Sequence, residues 1–348
     1  MMPGIPIALL FACILAGMMT SSRAENHLLF DSAENLDIVI EFPVRTLLKR
    51  AKKKPVLHGQ LRYVDANGNE VAIDIDITTR GRSRLEHCSF PPLSVFLNPD
   101  QVASTLFAGQ KKLKIVTHCN NGSTYLRYLH QEFGIYKTYN LVSEYSFRVR
   151  MLNVTYRDIA RKRRDEVKLA FFIESDDEVA KRLGMQTIKT KSIESHQFDP
   201  AQTNIFELFQ YMIANTDWAI RKGPGTENCC HNGKVLAKSD AQDNWVVLPY
   251  DFDQAGIINT KYALPSLALG IRTVRQRLYR GRCRHNDHLD QTIQLFNERR
   301  EDIEIANTPQ VLNKKARQST LKYLDVFYKT INDPAKLNKQ IVSACRGA

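Results

Sequence analysis

Between Asn215 and Asp253 the chain gathers side chains that can hold a metal ion and move a proton. Asp217 sits in an Asn-Thr-Asp-Trp run, His231 and Asn232 form a pair, and Asp251-Phe252-Asp253 follows a short apolar stretch. Phosphoryl transfer needs few parts: an acid to orient the incoming hydroxyl, oxygen ligands for Mg²⁺, and cations on the phosphates. Mg²⁺ favours carboxylate and amide oxygens, completed by water and substrate phosphates. Asp217 is the candidate catalytic acid, and Asn232 and Asp251 are candidate metal ligands. Asp253 is either a second metal carboxylate or the cap of the next turn. Asp217 also reads as a helix-end cap, and Asn232, standing before Gly233, as an ordinary turn residue.

Candidate cations come from the first half. Arg80 lies in a turn after a strand, one of three arginines with Arg82 and Arg84, and a guanidinium there can grip phosphate bidentately. Lys112 and Lys114 share a face of an alternating strand, and Lys114 is the favoured phosphate ligand. Glu132, on the helix that follows, is a candidate partner for that lysine. Glu174 ends the strand-rich half. The chain has no G-x-G-x-x-G loop, so the phosphate grip falls to Arg80, the hairpin or the lysine strand.

The elements that must position these groups can be read from periodicity. Leu36–Phe42 alternates apolar with acidic residues. Gly59–Val64 and Val71–Thr78 flank Asn67-Gly68, a strong hairpin signal. Leu93–Leu97, Leu113–Thr117, Phe147–Tyr156 and Lys168–Ile173 are further strands. Tyr125, Leu129, Phe133 and Tyr136 put one apolar face on a helix from Thr124 to about Tyr139. After Glu174 the pattern turns helical: a short helix from Asp176 to Leu183, then Ile205–Ala214 capped by Asn204 with Glu207 at N3. A loop over Asn215–Lys234, a strand at Trp245–Pro249, and a helical region from about Pro265 complete the chain. This divides it into a signal at 1–24, a β-rich part at 25–174 and an α-rich part at 175–348.

The signal rests on Ile5–Met19, an uncharged apolar run too short to span a bilayer comfortably, followed by a small-x-small cleavage pattern ending at Ala24. The expected address is therefore periplasmic or extracellular. A lipidated Cys13 is the minor alternative, and no later stretch reaches the ~20 apolar residues of a membrane helix. Seven cysteines include Cys13, leaving Cys88, Cys119, Cys229, Cys230, Cys283 and Cys345 in the mature chain. An even set in an exported protein suits disulfides; the pairing favoured is Cys88 with Cys119, and Cys229 or Cys230 with Cys283. A zinc site at these cysteines with His231, His285 or His288 lacks the usual ligand spacing. The net charge of +12 favours an anionic partner. The basic runs Lys49–Lys54 and Arg161–Arg164 lack interleaved aromatics, so nucleic acid is not the expected partner. The chain has no nucleophile-elbow sequence to suggest a hydrolase.

Several segments together carry a family resemblance. Thr79-Arg80-Gly81-Arg82-Ser83, Gln110-Lys111-Lys112-Leu113-Lys114-Ile115, Phe171-Phe172-Ile173-Glu174 and Tyr250-Asp251-Phe252-Asp253 are similar to successive motifs of the spore-coat-protein-H-like (CotH) kinases. The chain thus resembles atypical members of the protein-kinase-like superfamily, with a more distant similarity to HipA-type kinases. The resemblance implies a bilobal protein-kinase-like α+β fold, with a β-rich N-lobe, an α-helical C-lobe and a nucleotide base near Glu174 at the linker between them. It also implies ATP and Mg²⁺ or Mn²⁺ as cofactors and phosphorylation of a protein acceptor. Arg82 stands where the family's turn has Asn, and the Asp217-to-Asn232 spacing is longer than in ordinary protein kinases. An inactive scaffold or ligand-binding protein of the cell envelope is the alternative.

Overall fold

The computed structural model describes residues 29–225 and 228–347. The signal run and its cleavage site lie outside the described residues. Among the described residues no helix is long and apolar enough to cross a membrane.

Seven strands build the first half: β1 (Leu36–Phe42), β2 (Leu57–Val64), β3 (Glu70–Thr79), β4 (Leu93–Leu97), β5 (Lys112–Val116), β6 (Val149–Asp158) and β7 (Glu166–Ile173). The Asn-Gly hairpin forms between β2 and β3, with Gly68 at φ 84° and the Asp65 carboxylate accepting the backbone N–H groups of Asn67 and Asn69. The sheet runs in the order β1-β2-β3-β4-β5-β7-β6 and closes into a barrel. Closure comes from β1 pairing parallel to β6, from Leu36 opposite Leu152 to Phe42 opposite Asp158. Ile40, Ile77, Leu93, Leu113, Leu152 and Phe172 fill its interior. Short helices α1 (Val44–Lys49), α2 (Ser83–His87) and α3 (Pro99–Val102) occupy the connections, and the long helix α4 (Ser123–Val142) joins β5 to β6.

Beyond Glu174 come α5 (Asp176–Arg182) and α6 (Pro200–Met212). Three strands, β8 (Gln186–Thr187), β9 (Gly233–Ala237) and β10 (Val246–Pro249), form a second sheet in the order β10-β9-β8. The chain ends in α7 (Leu289–Glu298), α8 (Arg300–Asn307), α9 (Lys314–Ile331) and α10 (Pro334–Leu337).

The expected bilobal kinase-like α+β fold is therefore corrected. A closed, mixed seven-stranded barrel stands where an open β-rich lobe was expected, and the rest of the chain is not a helical lobe of its own. It carries its own sheet and an irregular run from 251 to 282 broken only by a 3₁₀ turn. One core cluster joins Tyr136 of α4, Met151 and Phe171 of the barrel, and Phe209, Phe252 and Phe327 of the second half. The closing β1–β6 pair is held by residues over a hundred positions apart, as Leu36 and Leu152 show, and strand periodicity carries no signal for such pairing.

Two local expectations also change. Helix α6 starts at Pro200, with the Asp199 side chain accepting the Gln202 N–H at 2.8 Å. Asp at the N-cap with Pro at N1 is the stronger start signal, so Asn204 and Glu207 are buried inside the helix. The helical run expected from Pro265 begins only at Leu289. Before it, arginines hold the irregular chain by donating to backbone carbonyls: Arg277 to Met212 and Tyr323, and Arg280 to Thr216 and Trp218.

Among the described residues three disulfides are present, Cys88–Cys119, Cys229–Cys230 and Cys283–Cys345. The first matches the expected pairing. Cys283 instead bonds Cys345, because its N–H donates to the Arg346 carbonyl and so draws the C-terminal segment alongside. The thiolates that a zinc site would require are thereby engaged.

Helix α4 touches α8 so closely at Gly134 that a Cβ there would lie 2.4 Å from the Ala306 carbonyl oxygen. Gly134→Ala gains helix propensity but overpacks backbone against backbone, and it should lose about 2 kcal/mol of stability. Urea unfolding checks this; a variant as stable as wild type would show that α4 and α8 are not in that contact.

Candidate functional site

The side chains converge where the barrel meets the second half of the chain. Arg84, on the five-residue helix α2, is 7% exposed. Its Nε donates to Asp253 Oδ2 at 2.9 Å and its Nη2 to Glu132 Oε2 at 2.5 Å. Burial opposes its charge, but Glu132, Tyr262, Asp253 and Asp251 together hold it firmly protonated. Glu132 therefore pairs with Arg84, not with Lys114 as expected from sequence.

Lys114 lies with its Nζ 3.5 Å from Asp176 Oδ1 and 4.6 Å from the centre of the Tyr250 ring. Burial brings its ammonium down to about 8, Asp176 resisting and Arg80 and Lys234 assisting. Lys234 reaches the other Asp176 oxygen at 3.7 Å. Burial tends to raise Asp176, yet Lys114 and Lys234 hold it below its ordinary value. Lys112, by contrast, is exposed and lies over the Phe96 ring.

Arg80 donates Nη1 to the Tyr250 hydroxyl at 2.7 Å, and its buried Nε has no partner among the described residues. A buried guanidinium N–H without an acceptor is the kind of group an anion would satisfy. Glu174 is already saturated: it accepts from the Arg148 N–H, and Arg182 contacts both of its oxygens at 3.2 and 3.1 Å. With a side chain 3% exposed, it has no face left for a nucleotide base.

Asp217 is held from two sides. His231 Nε2 lies 2.8 Å from Oδ1, and Asn232 Nδ2 donates to Oδ2 at 2.9 Å and to the Asp217 carbonyl at 2.7 Å. Arg280 stacks on Trp218 and donates to the carbonyls on either side of Asp217, those of Thr216 and Trp218. The Asn232 carbonyl in turn accepts the Tyr250 N–H, which ties this loop to Asp251. Ala214, Asn232 and Asp251 are all left-handed, with φ of 50°, 50° and 60°. Non-glycine residues pay about 1–3 kcal/mol for strained backbone of this kind, and such residues cluster at functional sites.

Asp251 donates its backbone N–H to the Tyr136 hydroxyl oxygen at 3.2 Å, and no donor is hydrogen-bonded to its carboxylate among the described residues. Burial, with Asp253 next, pushes its carboxyl up to about 6; Arg84 and Arg80 pull it back, and Asp217 pushes it further up. Glu132 is raised in the same way, by burial first and by Asp253 and Asp251, against the pull of Arg84. Three carboxylates thus act on the buried guanidinium of Arg84, Glu132 and Asp253 by direct contact and Asp251 through space. This excess negative charge fits a hard cation. No three His, Cys, Asp or Glu side chains among the described residues form a ready-made cage, and Mg²⁺ commonly takes one or two carboxylates plus substrate phosphates.

The structure thus brings Asp217, Asn232, Asp251, Asp253, Arg80 and Lys114 to one place and leaves Glu174 outside it. Sequence reading gave no site role to Arg84, Asp176, Lys234 and Arg280, and named His231 without assigning it one. His231 was visible beside Asn232; Arg84 was hidden in an Arg-x-Arg-x-Arg run that also reads as solvated surface. No protein-family model matches the chain, and no curated protein is significantly similar to it.

The raised carboxyls make stability depend on pH. In the folded state Asp251 and Glu132 hold protons more tightly than their ordinary values of 3.8 and 4.5 allow, so their contribution is complete below those values. It is lost as pH rises through about 6 for Asp251. Asp251→Asn removes this penalty. In metal-free buffer it should be more stable than wild type by on the order of 2 kcal/mol at pH 8, with the gain fading toward pH 4. Thermal unfolding across pH checks this; a gain independent of pH would mean Asp251 is not under this pressure.

Proposed function

We propose that this pocket binds ATP with a divalent cation and transfers the terminal phosphoryl group to a hydroxyl of a protein acceptor. The supporting observation is the junction itself: a doubly held Asp217 beside an Asp251 carboxylate without hydrogen bonds, faced by Arg80 and Lys114. The reading rests on side-chain chemistry and not on a kinase-like fold. The motif-level resemblance to CotH-type kinases points the same way. We place the activity outside the cytoplasm, on the N-terminal signal; the three disulfides are compatible with that address.

Each residue has a role in this reading. Asp217 Oδ orients the acceptor hydroxyl and receives its proton, with His231 and Asn232 fixing the carboxylate plane. Arg80, through its unpartnered Nε, and Lys114 bind phosphate oxygens, Lys234 standing behind Lys114 across Asp176. Asp251 and Asn232 would hold the cation, and Asp253 keeps Arg84 in place. Mg²⁺ or Mn²⁺, when bound, supplies charge neutralisation on the phosphates.

ATP with Mg²⁺ or Mn²⁺ should raise the melting temperature of wild type and leave Asp251→Ala unmoved. Affinity should fall as pH rises through about 8, where Lys114 loses its proton. Asp217→Asn should keep the thermal shift but lose about 10²–10⁴-fold in transfer rate. If millimolar ATP and metal move neither protein, the enzymatic reading fails. If ATP binds but Asp217→Asn changes nothing, the protein is a ligand-binding one.

A further inference from the structure

The three disulfides differ in what they can do for stability. In the chain-entropy account a disulfide stabilises by restricting the unfolded chain, and more so for longer loops. Cys88–Cys119 and Cys283–Cys345 close separations of 31 and 62 residues. Cys229–Cys230 joins neighbours, with a separation of 1, and closes no loop. Stapling therefore gives no account of it.

Its position does. Both sulfurs lie 3.1 Å from the Ile220 carbonyl oxygen, and both residues are half-buried. The Cys229 N–H donates to Thr190, while His231 and Ala219 exchange backbone hydrogen bonds of 2.8 and 3.0 Å. The next two residues, His231 and Asn232, make the contacts that hold the Asp217 carboxylate. Closing the sulfurs onto one another fixes the backbone one residue before the first of those contacts.

We infer that Cys229–Cys230 is a thiol–disulfide exchange site whose redox state sets the geometry of Asp217, its substrate class being dithiol reductants. A thiolate of the dithiol attacks one sulfur, forming a mixed disulfide as the Sγ–Sγ bond breaks; the released cysteine thiolate takes up a proton. The second thiol of the reductant then resolves the mixed disulfide. The dithiol is oxidised by two electrons, and Cys229 and Cys230 end as two thiols. Freed from each other, the two side chains turn apart and the His231–Asn232 segment relaxes away from Asp217. This holds whether or not the pocket transfers phosphate.

The experiment is a dithiothreitol titration of the full mature chain, with alkylation and peptide mass mapping, alongside NMR of the histidine rings. His231 is assigned with His231→Gln. Cys229 and Cys230 should become alkylated at a dithiol concentration at least about tenfold below that needed for the other four cysteines. The His231 ring signals should shift in the same step and return on reoxidation. Cys229→Ser/Cys230→Ser should show the shifted signals without reductant; if it fails to fold, the wild-type titration decides. Reduction of all six cysteines in one step, or selective reduction with unmoved His231 signals, overturns the inference. Neither outcome depends on ATP, so a failure here is distinct from failure of the enzymatic reading.

Discussion

The buried guanidinium of Arg84 is the interaction on which the site's geometry depends. A charge 7% exposed must be paired and hydrogen-bonded, and its two partners come from distant parts of the chain, Glu132 on α4 and Asp253 beyond β10. Removing Arg84 would leave Glu132 and Asp253 as uncompensated charge in the interior, which costs several kcal/mol. Helix α2, five residues long, cannot hold Arg84 there by itself. The Cys88–Cys119 disulfide follows directly after it and ties it to the segment between β5 and α4. Covalent staple and ion pair together fix the joint between the barrel and the second half.

That joint leaves an electrostatic imbalance. Arg84 can neutralise one of the three carboxylates about it; burial first, and then the surplus charge, raises the carboxyls of Glu132 and Asp251. The neighbouring Lys114–Asp176–Lys234 group has the opposite bias, two ammonium groups about one carboxylate, and burial, with Arg80 and Lys234 behind it, depresses Lys114. Anion-seeking and cation-seeking groups thus stand side by side: Tyr250 contacts both Arg80 and Lys114 and directly precedes Asp251 in the chain. A metal complex of a polyphosphate presents the complementary pair of charges.

Local structure was largely legible in the sequence. Leu36–Phe42 and Leu93–Leu97 form strands with the bounds their alternation gives, and Asn67-Gly68 turns the hairpin. Helix α4 runs three residues further than its apolar spacing suggested, to Val142. Pairing of distant elements was not legible. The β1–β6 closure turned an expected open lobe into a barrel, and β9 lay hidden in a stretch that reads as loop because Gly and Asn dominate the approach to it. Of the candidate site, Asp217, Asn232 and Asp251 were visible because few residue types serve that chemistry. Arg84 was not, because nothing in a run of alternating arginines says which one is buried. Glu132 was found with the wrong partner for the same reason.

The central claim is that the surplus negative charge around Asp251 is a divalent-cation site. Calorimetric titration of Mn²⁺ into the nucleotide-free protein at about pH 6.5, in buffers of different ionisation enthalpy, tests it through the protons released on binding. The account predicts saturable binding accompanied by proton release, both lost in Asp251→Asn. Saturable binding that Asp251→Asn retains, or no saturable binding at all, would contradict it.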